Sequence, residues 1–242
     1  MSATALPEFV RLVGHPLRWQ LVVALARSDL RVRELVAIAG EPQNLVSYHL
    51  RLLRAGGLVT SRRSSFDGRD SYYHLDLDRC AGALVEVGVA LHPALRMAPV
   101  PSELQRRIGR PSVLFVCSGN SARSPIAEAL LRRHAGDRVH VSSAGTRPKD
   151  RIHPHAVRVL REHYDLDIAG QAPRAVGSTA HDRVITLCDK AREVLGTPVH
   201  WSIPDPVAVG NGQYPAFVEA AADIDTRVRQ LLPTLTLTEK EE

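Results

Sequence analysis

Apolar residues near the start of the chain recur at helical spacing. Phe9, Leu12, Val13, Leu17, Leu21, Val22 and Leu25 line one face of a helix. A second, short helix is predicted from about Val32 to Ile38, stopped by Gly40. A third is predicted from about Gln43 to Arg54, stopped by Gly56-Gly57. Two alternating stretches follow, Leu58 to Arg62 and Ser71 to Leu77. The segment SSFDGRD lies between them, with Asp67-Gly68 as the turn signal of a hairpin. A last helix is expected from about Asp78 to Leu91, ended by Pro93.

The pattern breaks at RMAPVPSELQRRIGRP, where Pro99, Pro101, Gly109 and Pro111 interrupt a basic run. This reads as a linker, with a short helix in its middle. Beyond it the period changes. Short apolar runs at Val113–Val116, Val139–Ser142 and Val184–Leu187 alternate with helical stretches at Pro125–His134, His153–His163 and Tyr214–Leu232. Strands alternating with helices imply βαβ units, a parallel sheet and right-handed crossovers. The expected division is a first domain over 1–95, a linker over 96–110, a second domain over 111–235 and a frayed tail over 236–242.

Composition narrows the classes. The 242 residues suffice for two compact domains, and 44% hydrophobic residues can build a core in each. With only 5% aromatic residues, these cores must rest on Leu, Val and Ala. No apolar stretch is long enough to span a bilayer, so no membrane association is expected. The opening MSATALPEFV shows no positive region followed by an apolar run, so a cytoplasmic location is expected. Three cysteines, Cys80, Cys117 and Cys188, argue for free thiols over a disulfide framework. The net charge of +5 permits nucleic-acid binding and comes almost wholly from Arg, because Lys149, Lys190 and Lys240 are the only lysines.

Helix–turn–helix followed by a hairpin is a winged-helix layout, in which one helix enters the major groove. That helix would present Gln43, Asn44, Ser47, Tyr48, His49 and Arg51, and the wing would present Arg62, Arg63 and Arg69 to phosphates. The segments VGHPLRWQLVVAL, NLVSYHLRLLRAGGLVTSRR and SYYHLDLD resemble the ArsR/SmtB repressor family over about residues 8–92. The resemblance implies a homodimer formed through the first and last helices of this domain, bound to a palindromic operator. Arsenic-sensing members often place a cysteine pair before the recognition helix; here that segment is LRVRELVAIAG. The last helix region holds Asp76, Asp78, Cys80, Glu86 and His92, a set without a recognisable metal-site spacing, and Cys80 reads as a buried structural thiol or a lone inducer ligand.

In the second half, VLFVCSGNSARSPIAEALL (residues 113–131) places Cys-x5-Arg between a strand and a helix start. A loop entering a helix N-terminus points backbone N–H groups at one spot and forms an anion site. Ser118, Gly119, Asn120, Ser121, Ala122, Arg123 and Ser124 would line it. Gly119 would give the backbone room to bend, and Asn120 would take an unusual backbone conformation. Arg123 offers a planar fork for two oxygens of a tetrahedral anion. The same positive end favours Cys117 as a nucleophilic thiolate, with Ser124 available to hydrogen-bond it.

This motif resembles the low-molecular-weight phosphatase superfamily, which includes the thiol-dependent arsenate reductases. SSAGTRP, HPHAVRVLREHYDLDIAGQAPR, RVITLCDKARE and HWSIPDPVA extend the resemblance to about residues 112–234. It implies Asp205 of Asp205-Pro206 as general acid and Cys188 as the thiol that resolves a cysteine–arsenate adduct. Tyrosine phosphatases of this fold usually place an aromatic residue after Asp-Pro, where Val207 stands here, and a bulky residue and a second cysteine before the loop Arg, where Ser121 and Ala122 stand. The reductases' further relay cysteine is missing from AREVLGTPVHW, so an external thiol or redoxin is the expected electron donor. No bound cofactor is expected. His134, His140, His153, His155 and His163 show no metal-site spacing, and no metal is expected.

The expected fold class is therefore two domains. The first is a mainly α winged helix-turn-helix with a β-hairpin wing. The second is α/β, with a four-stranded parallel sheet flanked by helices. The expected function is a DNA-binding regulator fused to a catalytic domain that reduces arsenate to arsenite. The alternatives are protein-tyrosine phosphatase activity and a non-enzymatic sensor of oxyanion or redox state. The expected partners are operator DNA, arsenate or phosphate, a thiol or redoxin reductant, and a second copy of the chain.

Overall fold

The computed structural model describes residues 6–92, 95 and 110–236. Most of the expected linker and tail, 96–109 and 237–242, lies outside the described residues. The chain divides into two compact units, Met1–Pro101 and Ser102–Glu242.

In the first unit, one continuous apolar stripe becomes two helices, α1 (Glu8–Val13) and α2 (Pro16–Leu25). The break lies at Gly14-His15 because Pro16 lacks an N–H and fits only the first turn of a helix. His15 is extended, and its Nδ1 caps α2 by accepting from the Leu17 N–H at 3.2 Å. After β1 (Leu30–Arg31) come α3 (Val32–Ala39) and α4 (Gln43–Ala55). Gly40 ends α3 at φ 68, a left-handed position that glycine takes without strain. The hairpin is β2 (Val59–Arg63) and β3 (Ser71–Leu75), and α5 (Leu77–Leu91) follows.

β1, too short to be read from the sequence, pairs with Tyr72 and Tyr73 and extends the hairpin to a three-stranded antiparallel sheet, β1-β3-β2. The connection of the hairpin turns at Asp67-Gly68, inside a loop longer than two residues. Ser64 N–H donates to Asp70 O, Asp70 N–H to Asp67 O, and Arg69 N–H to Asp67 Oδ1, which makes a broader loop. Leu21, Leu35, Val46, Leu50 and Leu53 form the centre of this core.

The second unit is a parallel sheet in the order β5-β4-β6-β7, made of β4 (Ser112–Cys117), β5 (His140–Gly145), β6 (Arg183–Thr186) and β7 (Val199–His200). The helices are α6 (Arg123–Ala135), α7 (Pro154–Tyr164), α8 (Asp189–Leu195) and α9 (Tyr214–Leu231). β4 is an interior strand and Val113–Val116 are buried, which explains a continuous apolar run without alternation. Phe115, Ile126, Leu130, Leu160 and Phe217 are fully buried in a separate core. Cys117 ends β4 at the carboxyl edge of the sheet, where open α/β sheets bind ligands. Among the described residues, no helix is long and apolar enough to cross a membrane.

Candidate functional site

Residues 118–122 join β4 to α6 and wrap around Cys117. The carbonyls of Cys117, Ser118, Gly119 and Ser121 are engaged on one side. Thr146 N–H donates to Cys117 O (3.1 Å), Arg147 N–H to Ser118 O (2.8 Å), Lys149 N–H to Gly119 O (2.9 Å) and His153 N–H to Ser121 O (2.8 Å). In a trans peptide the N–H points opposite to the carbonyl. The N–H groups of Ser118, Gly119, Asn120 and Ala122 are therefore turned away from segment 146–153. The α6 N-terminus adds its own unpaired N–H groups. The left-handed residue of the loop is Asn120, at φ 43, while Gly119 leaves room for the stem of Lys149.

Behind the loop runs a chain of hydrogen bonds. Glu128, buried in α6, receives Arg174 Nη2 (2.8 Å) and Ser143 Oγ (2.6 Å) on one oxygen and Arg132 Nη2 (2.7 Å) on the other. Ser143 gives its single proton to Glu128, so its oxygen accepts from Asn120 Nδ2 at 2.9 Å. Asn120 Nδ2 also donates to Ser124 Oγ (2.9 Å), and Asn120 Oδ1 accepts from Arg174 N–H (2.7 Å). The Ser124 proton is left for Cys117 Sγ, 3.1 Å away, or for Ala144 O at 3.3 Å. Sequence reasoning missed Glu128, Ser143, Arg174 and Gly145. The signals were a Glu inside the apolar stretch IAEALL and a glycine ending a strand, but their partners lie far along the chain. At Gly145 a Cβ would stand 2.7 Å from Ser118 O and 2.9 Å from Asn120 N.

Arg123, buried at the start of α6, reaches the segment after β7. Its Nη2 lies 2.8 Å from Asp205 Oδ2 and its Nη1 donates to Ile203 O at 3.1 Å. Asp205 is half-exposed, so the two residues share one side of the site. Cys188 is the N-cap of α8 and accepts from the Ala191 N–H at 3.4 Å, while Ser118 Oγ lies 3.2 Å from its sulfur. β6 runs beside β4, with Leu187 N–H donating to Val116 O, which brings Cys188 next to the loop. Buried Asp189 accepts from Ser202 Oγ (2.6 Å) and contacts His200 Nε2 (3.1 Å), tying α8 to β7. All three cysteines are free and buried. Burial, and then Asp76, pushes the Cys80 thiol above its ordinary value, as for a structural thiol.

His153 is an N-cap: its Nδ1 accepts from the His155 N–H at 3.2 Å, and its ring stacks on Phe217 at 4.5 Å. Among the described residues, no group of three or more His, Cys, Asp or Glu side chains could hold a metal ion.

On α4 of the first unit, Gln43, Asn44, Tyr48 and Arg51 are exposed and Ser47 is half-buried. His49 departs from expectation. It lies on the opposite face with Val46, Leu50 and Leu53, is 4% exposed, and packs its ring against His15 at 4.4 Å. It is not placed to read bases. Arg63 and Arg69 are exposed on the wing and Arg62 is half-buried. Arg63 Nη1 also donates to Gly68 O at 2.6 Å and braces the wing loop.

Known proteins match both units. The chain resembles "Arsenate reductase 1" of Bacillus cereus at 30% identity over 132 residues, covering 51% of this chain and 95% of that protein. The arsenate reductase of Brevibacillus brevis is 31% identical over the same coverage. The crystal structure of arsenate reductase from Archaeoglobus fulgidus aligns at 30% identity and a TM-score of 0.41, over 50% of this chain and 98% of that one. Residues 15–61 match the bacterial regulatory protein family arsR, so the first unit carries an ArsR-type helix-turn-helix. Over residues 112–241 the chain matches, and belongs to, the low molecular weight phosphotyrosine protein phosphatase family.

Proposed function

We propose that this chain is an operator-binding regulator whose second unit reduces arsenate to arsenite. The observation that carries this reading is the second thiol at the loop: Ser118, the residue after Cys117, holds its hydroxyl 3.2 Å from Cys188 Sγ. Cys117 attacks the arsenic atom, and one oxygen leaves as water with a proton from Asp205. Cys188 then attacks the Cys117 sulfur. The sulfur–arsenic bond breaks, its electron pair stays on arsenic as arsenite, and a Cys117–Cys188 disulfide remains. An external thiol or redoxin reduces that disulfide.

The names of the relatives agree with this chemistry. The oxyanion loop alone would also take a phosphoryl group, so aryl-phosphate hydrolysis belongs in the same test. Arsenite release from arsenate is measured with a panel of thiol donors, beside Cys188→Ser. Turnover lost in the variant makes Cys188 the resolving thiol, and turnover kept assigns that step to the external thiol. No arsenite with any donor, alongside aryl-phosphate hydrolysis, overturns the reductase reading.

The regulatory half rests on the exposed α4 face and the basic wing, on a chain whose location we take to be cytoplasmic. A homodimer is supported by α1, which has no buried residue, and by α5, which buries only Cys80 and exposes Leu84 and Leu91. These two helices contact one another.

A further inference from the structure

The side chain of Lys149 is unusual for an exposed lysine. A Cβ placed on Gly119 would meet Lys149 Cγ at 3.0 Å and Cε at 3.8 Å, with Ser121 Cβ also at 3.8 Å. The outer half of the stem, Cγ to Cε, therefore lies over Gly119 and places the ammonium one bond beyond Cε. The Lys149 N–H is fixed to Gly119 O at 2.9 Å, and its neighbour Arg147 is fixed to Ser118 O, so the backbone that carries the lysine is built into the loop. Among the described residues, Lys149 forms no ion pair. Arg147 and Arg151 are exposed on the same short segment, against a single acid, Asp150.

The geometry points to Lys149 as a specificity-determining residue that draws anions onto the Cys117 loop, its ammonium held at the loop's edge. A charge at this range acts through Coulomb attraction that scales with the ligand's own charge and is screened by salt. Lys149 therefore strengthens binding of inorganic oxyanions and, once Cys117 is fully ionised, leaves attack on neutral reagents unaffected. This rests on the loop being an oxyanion site, and the test separates the two claims.

The test follows alkylation of Cys117 in the full chain, located by peptide mass, with neutral iodoacetamide and anionic iodoacetate. Inorganic phosphate is titrated as a protecting ligand. Measured at a pH where the iodoacetamide rate no longer rises and Cys117 is fully ionised, Lys149→Gln should weaken phosphate protection and slow iodoacetate by roughly 3- to 10-fold at low salt, with the iodoacetamide rate unchanged. The difference should shrink in high salt, and Lys149→Arg should restore it. Equal phosphate protection of the original chain and the Gln variant overturns the role of Lys149 alone. Equal slowing of both reagents also overturns it, because that marks a distorted loop. A lack of phosphate protection in the original chain overturns the oxyanion reading of the loop and this proposal with it.

Discussion

Gly145 shows how a single residue without a side chain holds the Cys117 loop. Its missing Cβ leaves room for Ser118 O and Asn120 N, both backbone atoms that cannot rotate away. Its N–H also donates to Arg174 O, on the residue that braces Asn120. Gly145→Ala should cost about 1–3 kcal/mol of stability from overpacking. A loop displaced by ~1 Å should lower turnover by about 100-fold. Thermal melting together with turnover checks this; an alanine variant with native turnover would show that the loop tolerates the shift. His49 makes a different prediction, in the first unit. Burial first, then the charges of His15 and Arg18, hold its imidazole below the ordinary 6.5, and its buried Nδ1 has no hydrogen-bond partner among the described residues. The folded state thus binds fewer protons than the unfolded chain. Its stability should be full above the unfolded value and should fall as the pH drops below it, until the lowered folded value is passed. Melting of the first unit at pH 7.5 and 5.5 should show this loss, and His49→Leu should reduce it. An unchanged difference in the variant would assign the pH dependence to other groups.

At the scale of elements, legibility followed the range of the interactions that fix each one. β4, the Cys117 loop and α6 were legible because a buried parallel strand is a plain apolar run, and because the chemistry of the loop is contiguous in sequence. α8 and β7 were not. β7 has two residues, one of them His200, and a buried histidine makes sense only once Asp189 and Thr186 are seen around it. The network of Glu128, Ser143, Asn120 and Arg174 spans 54 residues from Asn120 to Arg174, so no local pattern announces it. The division between α1 and α2 was legible in principle from Pro16, but the apolar stripe continues in phase across it. His49 was also misread at this scale. Its polar side chain suggested the groove, whereas the helical period already grouped it with Val46, Leu50 and Leu53. Where residue type and period disagree in a helix that packs on a core, the period decides the facing direction.

At the scale of the whole molecule, each unit closes its own core. The buried apolar cluster of the first runs from Leu17 to Cys80, and that of the second from Val113 to Leu235. Each is large enough to hold its elements together without residues of the other, which is what independent folding requires. The Cys117 loop takes its hydrogen bonds from 143–153, 174 and 203–205, all within the second unit. The exposed α4 face and the wing draw theirs from the first. A chain lacking residues 1–95 should therefore keep the turnover of the full chain to within about 2-fold, since no residue of the site is removed, and should lose operator binding. Residues 1–95 alone should bind the operator as a dimer, with affinity falling steeply as salt rises, because in the proposed complex the exposed Arg residues of the wing are the groups that meet phosphates. Electrophoretic mobility shift and turnover on the two pieces and on the full chain decide the matter. Lost turnover in the second piece would mean that the first unit contributes to the catalytic site. Operator affinity that changes when arsenate is added to the full chain, but not to residues 1–95, would show that the units communicate, and the additive description of this molecule would have to be replaced by a coupled one.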